Sequence, residues 1–391
     1  MADSIIFQNE SIRLNIQATF KAQINMKVAY MLGSLNRGGT ETLMLNLFEE
    51  KKNIPFNIIA IYRKSGDLEH EFESTQVPFY KLSPKSKFDI SYILKLRKLI
   101  KNQQITIIHA QQPLDLFYAY YACLGLKVKL ILTFHGFEFN DGKLANRILK
   151  FVIRKTDINI FVSNYLKNYY LEKYQLEATR QKLVYNGIGV KTNFASKSAI
   201  REEIYLQKNE FLFAMVGNFV AVRNQLFICQ FLKLLNENKL PFKFLFIGKK
   251  DANNPDLFDK CVNFCAQNDL NEKVFFLSSR SDVKVILPEL DAFIYATNHD
   301  TFSLAIVEAI CAEIPVFAND WEVINEISEN GLLLNLYKTG DVRDLEEKFS
   351  VFLAQIENYR IQSKVNAGLA KQKYSMEKHI ENLFIEYSNL L

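Results

Sequence analysis

From Lys27 onward, short apolar runs alternate with longer amphipathic ones, and this order limits the folds open to the chain more than any other feature. "KVAYML" is followed by "TETLMLNLFEE", "FNIIAIY" by "DISYILKLRKLIKN", "ITIIHA" by "LDLFYAYYACLG", "VKLILTFHG" by "KLANRILKFVIRK", and "DINIFVS" by "NYLKNYYLEKY". The short runs have the length of strands buried on both faces, and the longer ones carry helical spacing. A βαβα order of this kind predicts a parallel sheet with helices on both faces. The polar stretch "VYNGIGVKTNFASKSAI" interrupts it. The pattern then restarts with "EFLFAMVGNF", "QLFICQFLKLLNE", "FKFLFIGK", "LFDKCVNFCAQ", "KVFFLSS", "DVKVILPEL", "DAFIYAT", "FSLAIVEAICAE" and "PVFAND". The prediction is an α/β protein of two doubly wound domains, 26–187 and 188–374, joined near residues 186–200. Ligands of such sheets bind beyond the carboxyl ends of the strands, so two facing domains would leave a cleft between them.

A length of 391 residues suits two domains with separate cores. The formal charge of +5 is too diffuse to indicate a nucleic-acid partner. Cys123, Cys229, Cys261, Cys265 and Cys311 are odd in number and lie mostly in apolar segments, which predicts reduced core thiols in a cytoplasmic protein. Cys261 and Cys265 are one helical turn apart, but no second pair completes a zinc set, and no Asp-x-Asp metal motif occurs. The longest apolar run, "LFYAYYACLGL", is too short to span a bilayer. Residues 1–25 lack the basic start and apolar core of a signal peptide and read as an arm or as a leader before an alternative start at Met26.

Two segments carry chemistry. "GSLNRGGT", Gly33 to Thr40, has the spacing of a phosphate loop, but Gly39 stands where that loop needs its lysine. Gly38 and Gly39 either bring bare N–H groups to a phosphate or hydroxyl at a helix start or form an ordinary tight turn. In "NHDTFSLAIVEAICAEIPV", residues Ala305 to Ala312 are apolar except for Glu308, which predicts a helix with no solvent face on which that carboxylate could rest. An unpartnered buried carboxylate is expensive, so Glu308 needs either a lysine or amide partner or a ligand diol. Asp300 lies eight residues earlier, at the edge of the expected cleft. The N–H groups of Phe302, Ser303 and Leu304 open the helix toward a diphosphate.

These segments resemble the retaining glycosyltransferases of family 4, which have the GT-B fold of two Rossmann-like domains. The fingerprint of that family, Glu-x7-Glu before a Pro-Val strand, stands here as "DTFSLAIVE" followed by "IPVFAND". The likeness extends to "LNRGGTE", "TFHGFEF", "VYNGI", "VGNFVAVRN" and "FLSSRSDV" in the same order, and covers nearly everything from Met26. It implies that Glu308 holds the nucleotide ribose and Asp300 orients donor-sugar hydroxyls. Arg223 is placed on the diphosphate, Gly38 and Gly39 in the loop over donor and acceptor, and His135 facing the reacting sugar. His135 also reads as a structural histidine within a turn. The sequence departs from the family pattern at Asp300 for Glu, at Asn218 for Arg, at Ser303 and Ser278 for Gly, and at Gly189 for Asp. The loss of one arginine leaves Arg223 as the main cation for the leaving group. The resemblance further implies a C-terminal helix, 375–391, crossing back to the first domain on a stripe of Ile380, Leu383, Phe384 and Tyr387.

The function so implied is transfer of a sugar from a nucleotide donor, with UDP favoured, to a glycan or lipid-linked acceptor in cell-surface polysaccharide assembly, with no metal or other cofactor. An epimerase or hydrolase acting on nucleotide sugars, or a silent nucleotide-binding module, would share the fold. Lys143, Arg147, Lys150, Arg154 and Lys155 are interleaved with Leu144, Ile148, Leu149, Phe151, Val152 and Ile153. That pattern suits either an anionic membrane surface at the cytoplasmic face or a helix packed on the sheet with solvated lysines.

Overall fold

The structure, a computed structural model, describes residues 26–86, 88–137, 142–189, 198–251 and 255–391. The arm 1–25, the end of "TFHGFEF" and part of the interdomain break lie outside the described residues. Two compact units are formed. One runs up to Gly187 and takes in Met376–Leu391, and the other is Ile188–Ser375.

The first unit contains β1 (Lys27–Ser34), β2 (Asn57–Lys64), β3 (Phe79–Lys81), β4 (Ile107–Ala110), β5 (Lys129–Phe134), β6 (Ile158–Phe161) and β7 (Gln181–Leu183). They pair in parallel in the order β3-β2-β1-β4-β5-β6-β7. Val28 lies opposite Ile58 on one side and Ile107 on the other, and every residue of β4 is buried. Burial on both faces explains why these strands read as unbroken apolar runs. The second unit repeats the plan with β8 (Phe211–Val216), β9 (Phe242–Ile247), β10 (Val274–Leu277), β11 (Ala292–Tyr295), β12 (Val316–Asn319) and β13 (Asn335–Tyr337), in the order β10-β9-β8-β11-β12-β13. In each sheet the strand order reverses beside the first strand, so the switch points lie between β1 and β4 and between β8 and β11. All five cysteines are free and buried.

The C-terminal helix Met376–Ser388 packs on the first unit through Met376, His379, Ile380, Leu383 and Tyr387. Phe384 is half-buried and stacks on Phe56, so the buried stripe predicted from sequence was one position too wide there and missed His379. The Tyr387 hydroxyl lies 2.9 Å from the Tyr30 hydroxyl and 2.5 Å from His109 Nδ1, and His109 Nε2 lies 2.6 Å from Thr133 Oγ1. This buried polar chain joins the helix to β1, β4 and β5. His379 Nδ1 donates to the Tyr185 carbonyl at 2.7 Å.

Two buried histidines, His109 and His379, and the half-buried His135 give the first unit an acid weakness. Burial, with the neighbouring His379, lowers the pKa of His135 to about 3. Burial lowers His379 to about 4 against the pull of the Tyr185 carbonyl, and burial with His135 and His379 holds His109 well below its usual value. The unfolded chain takes up these protons below about pH 6.5 while the native unit does not, so stability is full above that pH and falls as the pH drops toward 4. His299 is the one histidine of Ile188–Ser375. Acidification from pH 7 to 4 should therefore lower far-UV circular dichroism before the fluorescence of the single tryptophan, Trp321, which belongs to the second unit. Coincident transitions would show that the histidines do not set the order.

Candidate functional site

At the switch point of the second unit, the loop after β8 brings Arg223 to the loop after β11. Backbone pairing of Arg223 with Thr297 fixes the approach. Gly217 lies beside the Arg223 side chain, where a Cβ would make only ordinary contact, 3.6 Å from Nε. Gly248 lets the loops after β8 and β9 touch, because a Cβ there would fall 2.2 Å from the Gly217 carbonyl oxygen. Arg223 Nη1 donates to Asp300 Oδ2 at 2.9 Å and to Thr297 Oγ1 at 3.1 Å, and its guanidinium lies over the Tyr295 ring at 5.2 Å. Asp300 also accepts from the Tyr295 hydroxyl at 3.0 Å and from the Thr301 N–H at 2.8 Å.

The sequence reading placed Asp300 at an open edge, but it is only 7% exposed. Arg223, Tyr295 and the Thr301 amide compensate the buried charge, which is the condition for burying a carboxylate. Arg223 meets Asp300 with Nη1 alone, so Nη2 and Nε–H make no hydrogen bond among the described residues. Tyr295 and Thr297 are the partners that sequence reasoning missed. Their signal was their place at the carboxyl end of "DAFIYAT".

The helix Leu304–Cys311 follows, with Ser303 at its N-cap in extended backbone and the Ser303 hydroxyl buried. Phe302 is buried, with its ring 5.8 Å from Tyr374. Helix geometry leaves the N–H groups of Leu304 and the next two residues without carbonyl partners inside the helix. Ile306, Val307, Ala309 and Ile310 are buried, whereas Leu304, Ala305, Glu308 and Ala312 are half-exposed. The helix predicted to have no open face therefore has one narrow stripe, and Glu308 lies on it. Its carboxylate makes no hydrogen bond or ion pair among the described residues. Burial raises its pKa, with Lys284 acting in the opposite direction. Asn218 is exposed, and its side chain accepts from the Lys249 N–H at 2.9 Å, so it braces the loop after β9.

In the first unit, Gly38 caps the helix Gly39–Glu49 in extended backbone. A Cβ on Gly38 would lie 2.7 Å from Glu41 Oε2. The Glu41 carboxylate thus turns back over the helix start, where the sequence suggested bare N–H groups for phosphate. A carboxylate there repels a phosphate and accepts from hydroxyls. The loop is pinned by the Arg37 N–H on Asp67 and by the Arg37–Glu71 ion pair, each at 2.8 Å. His135 follows β5, with Nε2 donating to Gln111 Oε1 at 2.7 Å. Its lowered pKa keeps it neutral near pH 7, which suits it to hydrogen bonding and not to carrying charge. In the helix Gly142–Val152 and just beyond it, Lys143, Arg147, Lys150, Arg154 and Lys155 are exposed, while Leu149, Val152 and Ile153 are buried. Leu144, Ile148 and Phe151 are half-exposed, so the apolar face of this segment is only partly spent on packing. Among the described residues, no helix is long and apolar enough to cross a membrane, and no group of three or more His, Cys, Asp or Glu is placed to hold a metal ion.

Two doubly wound parallel-sheet units with polar side chains gathered at the carboxyl ends of their strands are the architecture of the GT-B class. A family model described as Glycosyltransferase Family 4 matches residues 37–191, and one described as Glycosyl transferases group 1 matches residues 196–366. The chain belongs to the family 4 glycosyltransferases. It is 24% identical over 331 residues to the UDP-Gal:alpha-D-GlcNAc-diphosphoundecaprenol alpha-1,3-galactosyltransferase of Escherichia coli, covering 80% of this chain and 84% of that protein. It is 22% identical over 293 residues to the capsular polysaccharide biosynthesis glycosyltransferase CapH of Staphylococcus aureus, covering 73% and 78%. Its fold matches that of Anabaena HepE, solved in complex with UDP and glucose, with a TM-score of 0.80 at 15% identity over 93% of this chain and 100% of that one.

Proposed function

We propose that this glycosyltransferase moves a sugar from a UDP-sugar to a glycan or lipid-linked acceptor in cell-surface polysaccharide assembly, with retention of configuration. The observation that carries the reading is Glu308, a carboxylate with no hydrogen bond or ion pair among the described residues, on the one open stripe of an otherwise apolar helix. A ribose diol gives such a carboxylate two hydroxyl donors. One turn away, the first N–H groups of the same helix receive the diphosphate, and Arg223 adds Nη2 and Nε–H to it. Asp300 is held rigidly by its partners and turns its remaining acceptor capacity to the sugar hydroxyls. Asn218 braces the loop that carries Arg223. Gly38 and Gly39 bring the Glu41 loop to hydroxyls of donor or acceptor, and neutral His135 hydrogen-bonds to the reacting sugar.

Charge on the leaving group is balanced by Arg223 and helix amides, so the reaction is proposed to need no metal or other cofactor. A thermal-shift screen of UDP-, GDP-, ADP- and CMP-sugars in EDTA tests donor and metal together, because a ligand bound only to the native state raises the melting temperature. UDP-sugars should give the largest rise with EDTA present. A rise that appears only when manganese is restored would overturn the metal-free reading.

The exposed basic side chains between Lys143 and Lys155 support a cytoplasmic protein held peripherally at an anionic membrane, by charge and not by insertion. Flotation with anionic liposomes should be lost at about 0.5 M salt, where the screening length is only a few ångströms. Binding that survives salt, or none at all, contradicts this.

A further inference from the structure

A cavity of about 620 Å3 opens beside the switch point of the first sheet, with Arg63, Gln112, His135 and Asn146 among its polar lining and Leu144 and Ile148 among its apolar lining. No acidic side chain is among the described residues that line it. Its one ionised group is Arg63, at the end of β2 and largely buried. Arg63 Nε pairs with Asp115 Oδ1 at 2.5 Å, and Nη2 donates to Gln112 Oε1 at 2.8 Å. Asp115 is fully buried and does not line the cavity, so the counterion stands behind the guanidinium. Nη1 makes no hydrogen bond among the described residues. Gln112 has committed its oxygen to Arg63, which leaves its NH2 group to donate elsewhere.

The chain makes specific room for this arrangement. A Cβ on Gly33 would fall 2.2 Å from Gln112 Oε1, so the first glycine of "GSLNRGGT" is what lets Gln112 reach Arg63. A pair that served stability alone would gain little from such steering, since buried ion pairs are often replaceable by apolar residues without loss. What the steering produces is a guanidinium edge and an amide NH2 group with no carboxylate among the described lining residues, in a cavity that also has an apolar wall.

We infer that Arg63 and Gln112 bind an anionic group of the sugar acceptor, a phosphate or carboxylate, while the rest of the acceptor lies against Leu144 and Ile148. The planar fork of Arg63 suits either oxyanion. This rests on the proposed transfer to an acceptor and adds to it that the acceptor is charged. The same chemistry is offered by a lipid-linked diphosphate and by a small free acid.

Calorimetry on the full chain with geranyl diphosphate, malate and neutral geraniol as probes separates these sources. UDP is kept saturating so that the diphosphate cannot occupy the donor site. Geranyl diphosphate should bind best if the acceptor is lipid-linked, and malate if it is a small acid. Arg63→Lys keeps the charge beside Asp115 but loses the fork, and should weaken the favoured anion about tenfold. The double variant R63M/D115L replaces the pair with apolar side chains, and should weaken it about a hundredfold without leaving a buried charge unpaired. Equal anion affinity in wild type and both variants, or geraniol binding as tightly as the anions, overturns the inference. UDP affinity measured separately should fall in Glu308→Gln and stay level in Arg63→Lys. Loss of that pattern would remove the donor assignment while leaving the acceptor result standing.

Discussion

Arg223→Ala should lower kcat by roughly a hundredfold to a thousandfold, the range seen when one preorganised donor to a developing charge is removed. Negative charge on the diphosphate grows toward the transition state, so the loss should fall on turnover more than on the donor KM. The structure adds a second effect. The Arg223 and Asp300 side chains are only 20% and 6% exposed, so removing the cation strands a carboxylate in the interior. Breaking one side of such a pair costs about 3–5 kcal/mol, which corresponds to a melting temperature lower by roughly 10 °C for a unit of this size. The stability effect is isolated in the variant that also carries Asp300→Ala. Stability should return there because no charge is left unpaired, while turnover should remain low. A single variant with unchanged kcat would remove Arg223 from the leaving group, and one with an unchanged melting temperature would show Asp300 to be solvated.

How much was legible in the sequence follows from where each residue's free energy is decided. The central strands β1, β4, β8 and β11 are buried on both faces, so apart from His109 in β4 and the two ends of β1 they are apolar and could be read directly. Of the four edge strands, β10 keeps the apolar run "VFFL", whereas β3, β7 and β13 are three residues each and only partly buried. "FYK", "QKL" and "NLY" therefore carry no apolar run, and they are strands because a neighbour offers hydrogen bonds. Glu308 was legible because a lone acid in an apolar helix is conspicuous. Its open stripe was not, because which face a uniformly apolar helix leaves uncovered is decided by packing. Asp300 was found, but its burial depends on Tyr295 and on Arg223, which lies 77 residues away in sequence. The role of Glu41 was missed for a related reason. Nothing in the sequence marks it, and only the contact at Gly38 shows its carboxylate turned back over the helix start.

Glu308→Gln is the second large effect expected. The change keeps the volume of the side chain and removes a charge that burial already disfavours. Hydrogen bonds to a charged acceptor contribute about 1.5–3 kcal/mol, so donor affinity should fall by roughly tenfold to a hundredfold. Ribose is remote from the reacting carbon, so the donor KM should rise more than kcat falls. With no hydrogen bond or ion pair to lose among the described residues, the fold should be as stable as before or more so.

The most direct measurement of whether Glu308 is the ribose-binding carboxylate is calorimetric titration of wild type and Glu308→Gln with UDP and with uracil diphosphate analogues lacking the ribose hydroxyls, alongside their melting curves. The expected result is UDP binding at least tenfold weaker in the variant, no difference between the two proteins for the analogues, and a melting temperature level or higher. Full UDP affinity in a variant that melts several degrees earlier would contradict it, because Glu308 would then be holding the fold together instead of the nucleotide.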